Sequence, residues 1–241
     1  MELKVFEKLS PFCHKRGSYP LDTIVIHHIG SNNGKLYSLN GTITWFTDPE
    51  VHRNKTTGKI ENKVSAHYII PREPYNGHDL IRTVKDGDIA YHAGKSSWTV
   101  DGKIRNGINS YSIGIELEGD GNFVEYTDFQ YEVLIKLTKE YIDRYNILED
   151  NIVGHEDISP GRKIDPGKLF DWKRYRSSLT PSETSVVVEM VGKDSTPPAP
   201  STPTTSEDAI EPTEEFHMES GEDQPTFLGT ILNLFLKLFQ K

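Results

Sequence analysis

The sequence predicts a mixed α/β domain, a central mixed β-sheet flanked by helices, with a disordered tail behind it. Three observations lead there. A β-branched run, Ile24-Val25-Ile26, precedes paired histidines and reads as a buried strand. The tetrapeptide Thr127-Asp-Phe-Gln130 has the form of a capping box and opens an amphipathic stretch. Near residue 180 the composition breaks. Of 36 acidic residues, 11 fall between Pro181 and Thr226, with one lysine among them. A sheet carrying one apolar face must be covered, and helices are the economical cover.

Each element can be justified in order. Met1 to Ser10 carries acids and lysines where a signal peptide needs a continuous apolar core, so synthesis without classical secretion is expected. Cys13 is the single cysteine, which excludes an intramolecular disulfide. Along the strand at residues 24–26, successive side chains alternate between faces, so only one of His27 and His28 can face a given cleft. Residues 47–63, which include His52, read as a surface loop or insertion. Further strands are expected at 66–70, 79–84 and 112–117. In the last, Ile113, Ile115 and Leu117 alternate with Gly114, Glu116 and Glu118, giving one apolar face and one face with carboxylates. A helix then runs from the capping box to about Tyr145, with Phe129, Val133, Leu134, Leu137, Tyr141 and Ile142 on one stripe. A shorter helix after Pro166 includes Trp172 and Tyr175.

The tail predicts two further pieces. Residues 181–226 are acidic and rich in Pro, Ser and Thr, so they cannot bury enough apolar area to order themselves and form a disordered linker. Residues 227–241 turn apolar, with polar residues recurring at helical spacing. As a helix they would reach about 22 Å at ~1.5 Å per residue, short for a bilayer span. An interfacial membrane helix, a helix docking on a partner, or one folding back on its own domain all fit. With the tail set aside, residues 1–180 hold 25 acids against 24 Lys and Arg. No basic field exists there to hold nucleic acid.

The chemistry concentrates between Gly154 and Gly167. Glycines and prolines at 154, 160, 161, 166 and 167 argue against a regular helix or central strand, and the loop carries His155, Lys163 and Asp165. A constrained loop holds polar side chains at fixed positions. A second source of histidine lies upstream, in Thr23 to Ile29. Two imidazoles and a carboxylate are the ligand set of a catalytic zinc with an open fourth position, which implies a zinc hydrolase.

Five segments in order carry a resemblance. These are Val25-Ile-His-His-Ile29, Val64-Ser-Ala-His-Tyr-Ile-Ile70, Ile89-Ala-Tyr-His-Ala-Gly94, Asn109-Ser-Tyr-Ser-Ile-Gly-Ile-Glu-Leu-Glu-Gly119 and Gly154 to Gly167. Over roughly residues 20–176 the chain resembles the zinc-dependent N-acetylmuramoyl-L-alanine amidases. That family includes the AmpD-type enzymes, the phage lysozyme-type amidases and the peptidoglycan recognition proteins, and the AmpD-type branch is the nearest. The resemblance implies a peptidoglycan-recognition or amidase-like fold, with a catalytic domain over residues 1–180. It also implies one zinc ion held by His27, His155 and Asp165, and it places His28 on the other face or at the cleft edge.

On the same resemblance Lys163 donates to the oxyanion formed at the amide carbonyl. Glu116 is the candidate general base, or else orients a ligand imidazole through its second nitrogen. The phage lysozyme-type branch has a tyrosine before the histidine of the second segment. Ala66 stands there instead, which shifts the work onto Glu116. His92 is expected to contact the substrate, with a core role as its alternative, and Trp98 to offer saccharide a stacking surface. His67 reads as structural. The implied reaction is hydrolysis of the bond between N-acetylmuramic acid and L-alanine in peptidoglycan or muropeptides. The apolar terminal segment favours a lytic, endolysin-like role, with release from the cytoplasm through holin lesions. Recycling of anhydromuropeptides in the cytoplasm is the alternative, and behind it stands a non-catalytic wall-binding protein.

Overall fold

The computed structural model describes residues 2–180 apart from Asn33, so the expected linker at 181–226 and helix at 227–241 lie outside the described residues. Six strands form the main sheet: β1 (Val5–Glu7), β2 (Thr23–His28), β3 (Tyr68–Ile70), β4 (Leu80–Arg82), β5 (Ser112–Leu117) and β6 (Ile152–Gly154). Their order is β1-β4-β3-β5-β2-β6. The four strands β3, β5, β2 and β6 run parallel to one another, while β4 is antiparallel to β3. The sheet is therefore mixed, as the alternation of helical and strand patterns predicts.

Side-chain alternation divides this sheet into two faces. One presents Ile24, Ile26, Ile113, Ile115 and Leu117 to the long helix α2 (Asp128–Tyr145) and to α4 (Trp172–Leu179), making the larger core. The other presents Val25, Ile69 and Ile81 to smaller clusters, one of them under α1 (Leu39–Thr47). Helix α2 begins where the sequence places it. The Thr127 side chain accepts from the Gln130 amide and Gln130 accepts from the Thr127 amide, with Asn146 closing the helix in the left-handed region. The Gln130 side chain also donates to Ile70 and Glu118 carbonyls, tying the start of α2 to the sheet.

Two expectations need correction. The strand expected from residue 66 begins at Tyr68, because the Gly114 amide donates to the His67 ring, 3.0 Å away, instead of to a strand carbonyl. The segment 47–63 is only partly a surface loop. Asp48 caps a 3₁₀ turn at Pro49–His52, which folds His52 inward to a buried position against Trp45 and Phe12. Its Nε2 meets the Trp45 carbonyl at 2.6 Å.

Candidate metal centre

Strands β5, β2 and β6 end together, and the site sits at their carboxyl ends, where parallel sheets leave a crevice. Glu116 and His27 are register partners on adjacent parallel strands, so their side chains leave the same face. His155 follows β6 directly, in the one-turn helix α3 (His155–Ile158). The loop that returns from α3 brings Asp165 alongside, and the Glu156 amide donates to the Asp165 carbonyl at 3.0 Å. Three segments distant in sequence thereby meet in one place.

The meeting is close. His27 Nδ1 lies 2.9 Å from His155 Nδ1, and each lies 3.0 Å from Asp165 Oδ2. All three residues are buried. A tetrahedral zinc with bonds of ~2.0–2.1 Å has ligand edges of roughly 3.3 Å, within a few tenths of an ångström of these separations. The outer nitrogens are occupied elsewhere: His27 Nε2 is 2.9 Å from His92 Nδ1, and His155 Nε2 is 3.1 Å from the Ala93 carbonyl. Two imidazole nitrogens and a carboxylate oxygen converge, and a cation relieves their mutual repulsion. The donor set fits zinc.

Electrostatics follow from burial. Burial drives the His27 pKa down to about 4, with the neighbouring His155 adding to the effect, so the ring stays neutral and able to ligate. Glu116 goes the other way. Burial, reinforced by the Asp165 charge and opposed by Lys163, raises its pKa to about 8. Its Oε2 is buried without a hydrogen-bond partner, a polar atom aimed into the cavity. Burial also lowers the Lys163 pKa, against the pull of Asp165.

A cavity of roughly 160 Å³ opens here, lined by Glu116, Lys163, Ile164 and Val64 together with the triad. The structure thus brings together His27, His155, Asp165, Glu116 and Lys163, all named from sequence. His28 ends β2 and lines the cavity edge, its Nδ1 accepting from the Gly121 amide at 3.2 Å. His92 reaches the cavity wall, but both its ring nitrogens are engaged within the protein. Trp98 is not brought to the cavity. It lies in the hairpin of Ser97–Val100 and Lys103–Asn106 and packs against the cluster of Val25, Ala93, Ile108, Val153 and Ile158. His67 lies behind the site, holding the Gly114 amide with one nitrogen and the Asp88 carbonyl, 3.1 Å away, with the other.

Sequence reasoning missed several supports. Arg162 donates to the carbonyls of Ala93 and Lys95 at 2.7 and 2.8 Å, fastening the ligand loop to the segment beneath it. The Tyr126 hydroxyl donates to the Pro166 carbonyl at 2.7 Å, next to Asp165. The excess of glycine and proline at 160–167 marks the loop but not its attachments, which are the Ala93 and Lys95 carbonyls and the Tyr126 hydroxyl elsewhere in the chain.

Residues 17–168 match the family model of N-acetylmuramoyl-L-alanine amidases. The chain belongs to that family. It is 37% identical over 161 residues to the 1,6-anhydro-N-acetylmuramyl-L-alanine amidase AmpD of Citrobacter freundii, covering 66% of this chain and 81% of that protein. A crystal structure of an AmpD derivative superimposes with a TM-score of 0.59 at 34% identity, over 75% of this chain and 97% of that one. The AmiD amidase of E. coli, solved with the substrate anhydro-N-acetylmuramic acid-L-Ala-D-γ-Glu-L-Lys, gives 0.50 at 33%, over 67% and 59%. Membership makes this chain an amide hydrolase, and the family match takes in His27, Glu116, His155, Lys163 and Asp165. Among the described residues no helix is long and apolar enough to cross a membrane.

Proposed function

We propose that this amidase is zinc-dependent, that residues 1–180 are its catalytic domain, and that it cleaves the bond between N-acetylmuramic acid and L-alanine in soluble anhydromuropeptides. The observation that carries the reading is the convergence of His27 Nδ1, His155 Nδ1 and Asp165 Oδ2 beside Glu116 and Lys163 in one cavity. The choice of substrate rests on AmpD and AmiD, whose names or bound ligand specify anhydromuramyl compounds. That favours recycling chemistry over the lytic, endolysin-like role suggested by the apolar terminal segment. A soluble substrate also removes the need for release through a holin lesion.

In the mechanism, His27, His155 and Asp165 would hold the metal. Zinc bound there would supply a Lewis acid for activating a water and polarising the amide carbonyl. Glu116 stands on the same face as His27 and takes the water proton, then returns it to the leaving amine. Its raised pKa belongs to the metal-free site, and a nearby divalent cation shifts it back toward ionisation. The Lys163 ammonium faces the oxyanion that forms at the carbonyl, a contribution of typically ~3–4 kcal/mol. Asp165 and Glu116 lower the cost of keeping that ammonium charged in a half-buried place. The terminal segment 227–241 keeps its apolar pattern as the basis for lipid contact, tested by liposome binding with and without it.

The deciding experiment is mass spectrometry of products from purified peptidoglycan and from soluble anhydromuropeptide, each with and without a zinc chelator. Chelator-sensitive release of stem peptide from the soluble substrate, with intact wall a poor substrate, is the expected result. Rapid release from intact wall would restore the lytic role. No release from either by zinc-loaded protein would reduce the chain to a wall-binding module.

A further inference from the structure

The nitrogens that face away from the triad form an ordered chain of hydrogen bonds. Ser112 has one hydroxyl proton, and the Ile108 carbonyl, 2.7 Å from its oxygen, can only accept. The Ser112 oxygen is then the acceptor for His92 Nε2, 3.1 Å away. His92 carries its proton on Nε2 and presents a lone pair at Nδ1. That lone pair accepts from His27 Nε2 at 2.9 Å, which fixes the His27 proton on Nε2 and leaves Nδ1 bare toward Asp165 and His155. Run in the opposite sense, the chain would put a proton on His27 Nδ1 and close it to a metal.

The second ligand is oriented by the next residue along. His155 Nε2 meets the Ala93 carbonyl at 3.1 Å, closer than the Arg162 guanidinium at 3.4 Å, so it donates to that carbonyl and leaves its own Nδ1 bare. The dipeptide His92-Ala93 therefore holds the outer nitrogens of both ligand imidazoles. Its two amides are held by a single side chain: Asn109 Oδ1 accepts from the His92 and Ala93 amides at 3.0 and 2.7 Å. Gly114 completes the pocket, since a Cβ there would overlap the His92 ring.

We infer that His92, Ser112 and Asn109 are positioning residues for the metal, a relay that selects the ligating tautomer of His27 and the orientation of His155. This rests on the zinc reading above. It departs from the expectation that His92 meets substrate, because both His92 nitrogens are used inside the protein. Outer partners of ligand imidazoles typically set metal affinity by 10–100-fold.

The test is zinc affinity by competition with a chromogenic chelator, for wild type, His92→Leu, His92→Asn and Ser112→Ala. Nitrogen-15 NMR of the histidine rings in zinc-loaded wild type accompanies it. His92→Leu is expected to weaken zinc binding by about 10–100-fold. His92→Asn places a side-chain oxygen where Nδ1 stood and should recover most of that loss, a rescue that a bulk packing role would not give. The spectrum should show His27 metallated at Nδ1 and protonated at Nε2. Ser112→Ala removes only a hydroxyl, so it stays informative if His92→Leu fails to fold, and it should weaken zinc and alter the His92 signature. A His92→Leu or Ser112→Ala protein with wild-type zinc affinity, a raised KM being its only defect, would overturn the relay, as would metallation of His27 at Nε2. Wild type that takes up no zinc would overturn the metal site itself.

Discussion

Replacing Glu116 by Gln should make the metal-free protein more stable while removing most of its activity. The folded carboxyl titrates near 8 against an ordinary value of 4.5. A carboxyl raised in this way contributes its full stability below pH 4.5 and loses it as pH rises toward 8, because the unfolded chain ionises first. Each pH unit between 4.5 and 7 removes about 1.4 kcal/mol, about 3 kcal/mol in all. Glutamine cannot ionise, so the variant escapes that loss. It puts an amide where Glu116 Oε2 already lacks a partner, which costs about 1 kcal/mol. The net expectation at pH 7 is a gain of about 2 kcal/mol, collapsing toward zero at pH 5. Urea unfolding in chelator at the two pH values reads it directly. In the zinc-loaded protein the same change should lower turnover by about 10²–10⁴-fold, the usual worth of a positioned general base. Zinc stoichiometry should be unchanged. A variant less stable than wild type at pH 7 would refute the electrostatic argument, and turnover within tenfold of wild type would remove Glu116 as the base.

Three further changes probe the frame around it. Asp165→Ala removes the only anionic ligand of the triad and should abolish stoichiometric zinc, measured by metal analysis after dialysis; full retention would sink the ligand assignment. Gly121→Ala drives a Cβ into the Pro166 carbonyl that Tyr126 holds, and overpacking of this kind costs about 1–3 kcal/mol. Because Pro166 follows Asp165, zinc affinity should fall along with the melting temperature, and loss of one without the other would contradict the coupling. Thr127→Ala deletes half of the α2 capping box and should cost about 1 kcal/mol in urea unfolding with zinc binding intact.

What could be read from sequence depended on whether the signal was local. The β5 alternation and the capping box of α2 are local patterns, and both elements appear where the residues place them. Helix α1 was not legible. Its Thr42, Ile43, Thr44, Trp45 and Phe46 favour a strand by intrinsic preference. Ser38 caps the turn, and burial of Ile43, Trp45 and Phe46 under the sheet overrides the preference. At the site, the chemical types of the five central residues were visible, but their partners were not. In sequence, Asn109 reads only as the approach to a strand and Ser112 as its first residue. Their work is done across 16 or more residues of sequence, toward His92 and Ala93, and no periodicity encodes that.

The arrangement also explains why the metal and the fold should be linked. Without a cation, the folded chain brings two imidazole lone pairs and a carboxylate within 3.0 Å of one another and keeps a second carboxyl dry beside them. None of these contacts exists in the unfolded chain. The sheet, the Asn109 brace and the Tyr126 tether hold the groups in place against that repulsion. A ligand that binds only the folded state stabilises it by RT ln(1 + [L]/Kd), about 4 kcal/mol at a thousandfold excess over Kd. Zinc should therefore raise the melting temperature by an amount that grows with its concentration, and more in wild type than in Glu116→Gln. In the variant, the buried carboxyl that a divalent cation would compensate is gone.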